Sequence, residues 1–365
     1  MTVAAVHQFL PTLSPRDAIG AHTLQVQEVL RSLGLRSDLY ADVIHPDLAG
    51  RAHRFDGYTS GRRGEGSLLL YQASTGSRVA EYLLDRPEDK VLNYHNITPI
   101  QALAAWEPGL CDEVADGRRQ LGQLASVTRH AIAVSRYNQC ELVAAGYGST
   151  SVAPLLLDLG AFDGEPHRPT LAWLDRLRGG GGADLLFVGR IVPNKAQHDL
   201  VRALAVYRRL YDPRARLHLV GGASSPAYLH AVKRLASRLG LREAVDLPGS
   251  VSHARLVAYY RGSDAFVCLS DHEGFCVPVV EAMYHRLPIV AFASSAVPET
   301  VGEAGVVLPR KDPLTVAAAV ARVLGDAELR DSLRQASGRR IADFGLDRTR
   351  PAFGAAVGQA LAEVA

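Results

Sequence analysis

Short apolar runs bounded by turn residues, each followed by a longer segment of helical period, recur along almost the whole of this 365-residue chain. A strand buried on both faces must be apolar throughout, and joining it to a parallel neighbour takes a crossover helix. The alternation therefore restricts the chain to an α/β architecture with parallel sheets. In the first half, strands are predicted near residues 2–8, 37–44, 67–73, 91–96, 130–134 and 151–156, with helices over 20–34, 77–85, 98–126 and 136–145. A second series starts with Leu185–Val188 and continues through Leu217–Val220, Ala244–Leu247, Ala265–Leu269 and Ile289–Ala293. Between them, Asp158 to Pro169 and the run Gly179–Gly182 break the rhythm, which puts a domain boundary near residue 165. Two domains also suit the length, since single cores stop growing at roughly 250 to 300 residues. Residues Pro351–Ala365 read as a last amphipathic helix with no strand of its own, after an Arg-rich stretch from Arg330 to Arg350.

Composition excludes several classes. The 40 basic and 38 acidic residues nearly cancel and form no long block of one sign, which argues against nucleic acid as a partner. Cys111, Cys140, Cys268 and Cys276 are widely spaced, with no C-x-x-C pair, so neither a structural zinc site nor a disulfide framework is expected and a cytoplasmic setting is. No signal peptide or apolar stretch of about 18 residues is evident. The four consecutive glycines lack a following Gly-Lys-Ser/Thr and read as a surface loop. No G-x-G-x-x-G follows the first strand, which disfavours a dinucleotide-dependent dehydrogenase.

The segment Ser270 to Met283, which follows the strand ending at Leu269, carries the most chemistry. Pro278 suits the first turn of a helix, Glu281 is expected in that first turn, Glu273 lies on the loop before it, and Gly274 allows close backbone approach to a ligand. Exposed N–H groups at a helix start attract phosphate, and flanking carboxylates can grip sugar hydroxyls. The same spacing also fits a solvated loop acid and an acid that complements the helix dipole. A second candidate is Phe187 to Lys195, where Arg190 and Lys195 could neutralise a departing diphosphate. His95, within Val91 to Pro99, ends a strand on the side where open α/β sheets bind ligands. The loop Pro11 to Gly20, with Arg16 and Asp17, reads equally as a ligand-facing turn and as a capped helix start.

Glu273-Gly274-Phe275-Cys276-Val277-Pro278-Val279-Val280-Glu281-Ala282-Met283 resembles the E-x7-E signature of retaining glycosyltransferases of family 4, and Val188-Gly189-Arg190 with Lys195 resembles that family's V-G-R-x4-K segment. The resemblance implies a GT-B fold, with two Rossmann-like domains whose parallel sheets face an interdomain cleft. It implies an acceptor domain over 1–165, a donor domain over 166–345 and a helix, 346–365, that returns to the first domain. Glu273 would contact the transferred hexose, Glu281 the ribose, and Arg190 and Lys195 the diphosphate, with Gly274, Phe275, Cys276 and Val277 completing the donor pocket. His95 would hydrogen-bond the sugar, and Asp17 and Gly20 would belong to the acceptor side. Two departures stand out: Cys276 where many members carry Gly, and Ala196 where Gly often follows the lysine.

The expectation is transfer of a hexose or hexosamine from a UDP- or GDP-sugar to a hydroxyl acceptor, with retention and without a required cofactor or metal. No Asp-x-Asp occurs to hold a cation in the manner of the other common glycosyltransferase type. A nucleotide-sugar epimerase or hydrolase, or a non-catalytic sugar-nucleotide-binding subunit, would use the same scaffold. A lipid-linked acceptor would bring the protein to the inner face of the membrane. Oligomeric state is not legible.

Overall fold

The computed structural model describes residues 3–15, 17–60 and 66–364; Thr2, Arg16 and Ala365, named above as strand, loop and helix positions, lie outside them. The chain forms two compact units, one of residues 1–100, 109–157 and 344–365, the other of residues 101–108 and 158–343.

The first unit contains β1 (Val3–Leu13), α1 (Ala18–Ser32), β2 (Leu39–Ile44), β3 (His53–Arg54), β4 (Gly66–Ala73), α2 (Arg78–Leu84), β5 (Lys90–Tyr94), α3 (Pro108–Ala125), β6 (Thr128–Ala133), α4 (Arg136–Ala144) and β7 (Thr150–Val152). Its seven-stranded sheet runs β3-β2-β1-β4-β5-β6-β7, parallel throughout. The strand order reverses at β1, so the carboxyl ends of β1 and β4 flank a switch point of the kind where such sheets bind ligands. A single helix expected over 98–126 is instead a short 3-10 turn, Ile100–Ala102, followed by α3 from Pro108. Proline lacks the N–H needed inside a helix but suits its first turn, so Pro108 starts the helix rather than sitting within one.

The second unit contains α5 (Arg168–Gly179), β8 (Asp184–Val188), α6 (Gln197–Leu210), β9 (Arg216–Val220), α7 (Pro226–Arg238), β10 (Val245–Gly249), α8 (His253–Gly262), β11 (Ala265–Cys268), α9 (Val277–Tyr284), β12 (Ile289–Phe292), α10 (Val297–Val301), β13 (Gly305–Leu308), α11 (Pro313–Gly325) and α12 (Ala327–Arg340). Its six parallel strands follow the order β10-β9-β8-β11-β12-β13, with the switch point between β8 and β11. The Gly179–Gly182 run enters β8 at its amino end. Arg216 donates to the carbonyls of Gly181 (3.1 Å) and Gly182 (3.0 Å), and a Cβ on Gly182 would stand 2.4 Å from the Arg214 carbonyl. These glycines permit tight packing against Arg214 and Arg216.

The final helix α13 (Leu346–Val364) belongs to the first unit. Phe353, Ala356, Val357 and Ala360 join Val6, Leu68, Leu70, Val91 and Ile132 in one apolar cluster, with Phe353 fully buried. Burial of such a side chain contributes about 1.5 to 3 kcal/mol, so α13 is an integral layer of that core.

Candidate functional site

In the second unit, two loops leave the carboxyl ends of β8 and β11, the strands that flank the switch point. The first turns through Pro193–Lys195 and enters α6 at Ala196, which is buried in a left-handed conformation (φ 51°, ψ 40°). Glycine adopts that conformation freely, so alanine keeps the turn at some strain. The second loop, from Leu269 to Cys276, enters α9 with Cys276 also left-handed (φ 76°, ψ 66°).

Backbone ties hold the loops together. The Asp271 N–H donates to the Asn194 carbonyl at 2.8 Å, and the buried Asn194 side chain donates to the His272 carbonyl at 3.3 Å. Behind them, Ser295 Oγ accepts from the Glu273 N–H at 2.7 Å and Thr300 donates to the Phe275 carbonyl at 2.5 Å. The outcome is a contact between the two sequence motifs: Lys195 Nζ lies 2.6 Å from the Glu273 carboxylate, with the side chains 16% and 11% exposed. Arg190, just past β8, is exposed.

Glu281 lies just past the first turn of α9, where the sequence suggested the first turn itself. Cys276 is the cap and Pro278 the second helical residue, so the acid falls in the second turn, where its attraction to the helix dipole is weaker. It is held instead by Tyr260, whose hydroxyl donates at 2.6 Å. Burial raises the Glu281 carboxyl above its ordinary value, against the opposing effect of the Tyr260 bond. Burial and the neighbouring Glu281 raise the Tyr260 phenol well above its own, so it keeps the proton it donates. Phe275 and Cys276 are buried, whereas Gly274 and Val277 are half-buried.

Sequence reasoning passed over Lys311, which bridges Asp199 (2.8 Å) and Asp271 (2.6 Å) and steadies the loop that carries Glu273. It also passed over Asn194, whose role is to tie one loop to the other. The scarcity of lysine, four among 40 basic residues, was the one available signal for Lys311. Nothing in the local pattern marked Asn194.

The first unit holds the remaining candidates. His95 follows β5 directly and is buried, with Nε2 2.7 Å from Gln72 Oε1. Gln72 donates in turn to Gln8 at 2.8 Å, and Gln8 to the Thr23 carbonyl at 3.1 Å. That last acceptor is a backbone oxygen, so it orients both amides and leaves Gln72 Oε1 to accept from His95. The imidazole then carries its proton on Nε2, and Nδ1 has no partner among the described residues. Burial lowers the His95 pKa to about 3, so the ring is neutral near pH 7. Asp17 caps α1 by accepting from the Gly20 N–H at 3.1 Å. A Cβ on Gly20 would lie 2.7 Å from the Ser14 carbonyl, so this glycine serves the close packing of that loop.

Residues 176–340 match the family model described as Glycosyl transferases group 1. The chain is 34% identical to a D-inositol 3-phosphate glycosyltransferase of Geodermatophilus obscurus over 81% of this chain and 62% of that protein. It is 33% identical to the enzyme of the same name from Kineococcus radiotolerans, over 58% and 52%. It is 31% identical to a GDP-mannose-dependent alpha-(1-6)-phosphatidylinositol monomannoside mannosyltransferase of Mycolicibacterium smegmatis, over 57% and 55%. The chain thus spans less than two thirds of the length of each of these curated relatives. Among solved structures, sucrose-phosphate synthase from Thermosynechococcus elongatus superposes with a TM-score of 0.77 at 19% identity, over 98% of this chain and 99% of that one. HepE from Anabaena in complex with UDP and glucose gives 0.74 at 16% identity, over 97% and 100%. The chain therefore has the GT-B fold, and its residues 176–340 carry the sequence pattern of group 1 glycosyl transferases.

Proposed function

We propose that this protein is a retaining glycosyltransferase that moves a hexose or hexosamine from a UDP- or GDP-sugar to a hydroxyl acceptor, with no obligatory metal. The observation that carries the reading is the 2.6 Å pairing of Lys195 with Glu273 at the switch point of the second sheet. An ammonium and a carboxylate on adjoining loops suit a donor whose two ends differ in charge. Lys195 and Arg190 stabilise the departing diphosphate, Glu273 grips the sugar and Glu281 holds ribose hydroxyls; charge that develops only in the transition state is what fixed cations of this kind accelerate. His95, neutral and with a buried Nδ1 that has no partner among the described residues, accepts a hydrogen bond from a sugar hydroxyl, a role that rests on the family resemblance. The acceptor then attacks on the face the diphosphate leaves.

The names of the relatives support sugar transfer, and the structures of HepE with UDP support a nucleotide-sugar donor. An inositol phosphate is the first acceptor to try, because it appears in the names of several relatives. Among the described residues no helix is long and apolar enough to cross a membrane, so a lipid-linked acceptor would be met at the surface.

The test is a thermal-shift screen against UDP, GDP, ADP, dTDP and NAD, followed by product analysis with the matching sugar nucleotide. A ligand that binds the folded state alone must raise its apparent stability. A shift with UDP or GDP that disappears in Glu281→Ala, and a glycoside formed only when acceptor is present, is the expected result. A shift with NAD alone overturns the reading. Acceptor-independent conversion of the donor assigns an epimerase or hydrolase, and nucleotide binding without turnover a binding subunit.

A further inference from the structure

Two thiols stand beside Glu273 that take no chemical part in the transfer described above. Cys268 closes β11, Cys276 caps α9, both are buried, and their sulfurs are 3.9 Å apart. The sulfurs and a Glu273 carboxylate oxygen all lie within 4.8 Å of one another. A tetrahedral zinc ion with bonds of about 2.3 Å to sulfur sets two thiolates ~3.8 Å apart. The pair therefore already stands at the spacing such a cation requires.

Its anchors are firm. Cys268 pairs with Ala291 of β12 inside the sheet, and the Cys276 turn is held by the Thr300 bond to the Phe275 carbonyl. We propose that Cys268, Cys276 and Glu273 form a binding site for a thiophilic divalent cation of the zinc class, and that its occupation blocks the donor site. The blocking half of this statement rests on the function proposed above; the site itself does not. On binding, each thiol releases its proton to solvent, two metal–sulfur bonds and one metal–oxygen bond form, and the fourth position is left to water. Charge balances: two thiols, one carboxylate and the Lys195 ammonium sum to zero, as do a dication, two thiolates, the same carboxylate and the same ammonium. The buried cluster thus takes up the cation without a change of net charge, which removes the main electrostatic cost of burying it. Glu273 is diverted from Lys195, and the sugar loses its carboxylate.

The experiment is an ultraviolet titration of the reduced full chain with Cd2+, which gives a sulfur-to-metal charge-transfer band only where thiolate binds it, followed by displacement with Zn2+. One cation per chain is expected, with the band kept in Cys111→Ser/Cys140→Ser, since those thiols lie elsewhere in the chain. It should vanish in Cys276→Gly, a substitution suited to the left-handed backbone there, and in Cys268→Ser. A band that survives Cys276→Gly, or that is lost with the distant cysteines, overturns the site. In a second arm, Zn2+ should abolish the thermal shift that the intact sugar nucleotide gives beyond that of its nucleoside diphosphate in the parent protein. If that shift persists with the cation bound, the blocking claim falls and the site stands. A protein that shows no nucleotide shift without metal refutes the donor reading and the block with it, while the cadmium band still decides the site.

Discussion

Replacing Lys195 or Glu273 singly and then together separates what the pair does for the fold from what it does for chemistry. At 2.6 Å and an effective dielectric of about 20, the two charges attract by roughly 6 kcal/mol, part of which is offset by loss of hydration. Removing one partner strands the other where little water reaches it, a change that costs about 3 to 5 kcal/mol in comparable pairs. For a unit of this size each kcal/mol moves the midpoint by roughly 3 °C, so Lys195→Met or Glu273→Gln should lower Tm by about 10 °C or more. The double variant leaves no unpaired charge and should recover most of that loss, which gives a coupling energy of about 2 kcal/mol or more in a double-mutant cycle. Turnover should behave differently. Loss of a preorganised cation at a leaving group costs roughly 100- to 1,000-fold in kcat, and the double variant should recover none of it. Calorimetry and a coupled assay of nucleoside diphosphate release read the two effects on the same preparations. Additive losses of stability would refute the ion pair, and turnover restored in the double variant would refute its catalytic role.

Three further outcomes follow from other parts of the molecule. Burial alone would lower the His218 pKa, but hydrogen bonds to Asp184 (2.9 Å) and Asp246 (3.2 Å) outweigh it and raise the value; the stability this confers is complete below about pH 6.5 and is lost as pH rises through the folded value, so Tm should fall with rising pH across neutrality, and His218→Asn should flatten the slope. The His95 pKa is lowered to about 3 by burial, so the opposite sign holds there: stability is present above pH 6.5 and is lost on acidification, of order 2 kcal/mol by pH 5, a loss that denaturant melts should find reduced in His95→Gln. Phe353→Ala, which empties a fully buried site in the first unit, should cost about 3 to 5 kcal/mol in urea unfolding; a loss below 1 kcal/mol would show that α13 is dispensable to that core.

Much of the fold was legible because its signals are local. Apolar runs with helical spacers fixed the order of nearly all strands, and the sequence from Glu273 to Met283 located the loop and helix that carry the acids. Several features escaped. Strand β3, of only two residues, is too short to show a period, and β13, of four, was not among the predicted strands. The turn position of Glu281 depended on where α9 begins, and that was set by Cys276 taking a left-handed conformation rather than by Pro278. The bond from Asn194 to the His272 carbonyl links residues far apart in sequence, and only the assembled sheet brings them together. The same holds for the Gln72 bond that sets the tautomer of His95: a buried glutamine on a strand carries no pattern that names its partner.

The return of α13 to the first unit has a consequence for how the protein is made. A ribosome emits residues 1–157 early, yet the sheet they form lacks Phe353, Ala356, Val357 and Ala360 until the last helix emerges. The second unit, continuous from 158 to 343 apart from a short earlier segment, can close while the first still exposes the apolar surface that α13 will cover. Synthesis order and completion order are thus reversed. A chain released before residue 346 would carry a finished sheet in its second unit and an open apolar face in its first, the kind of surface on which chaperones and proteases act.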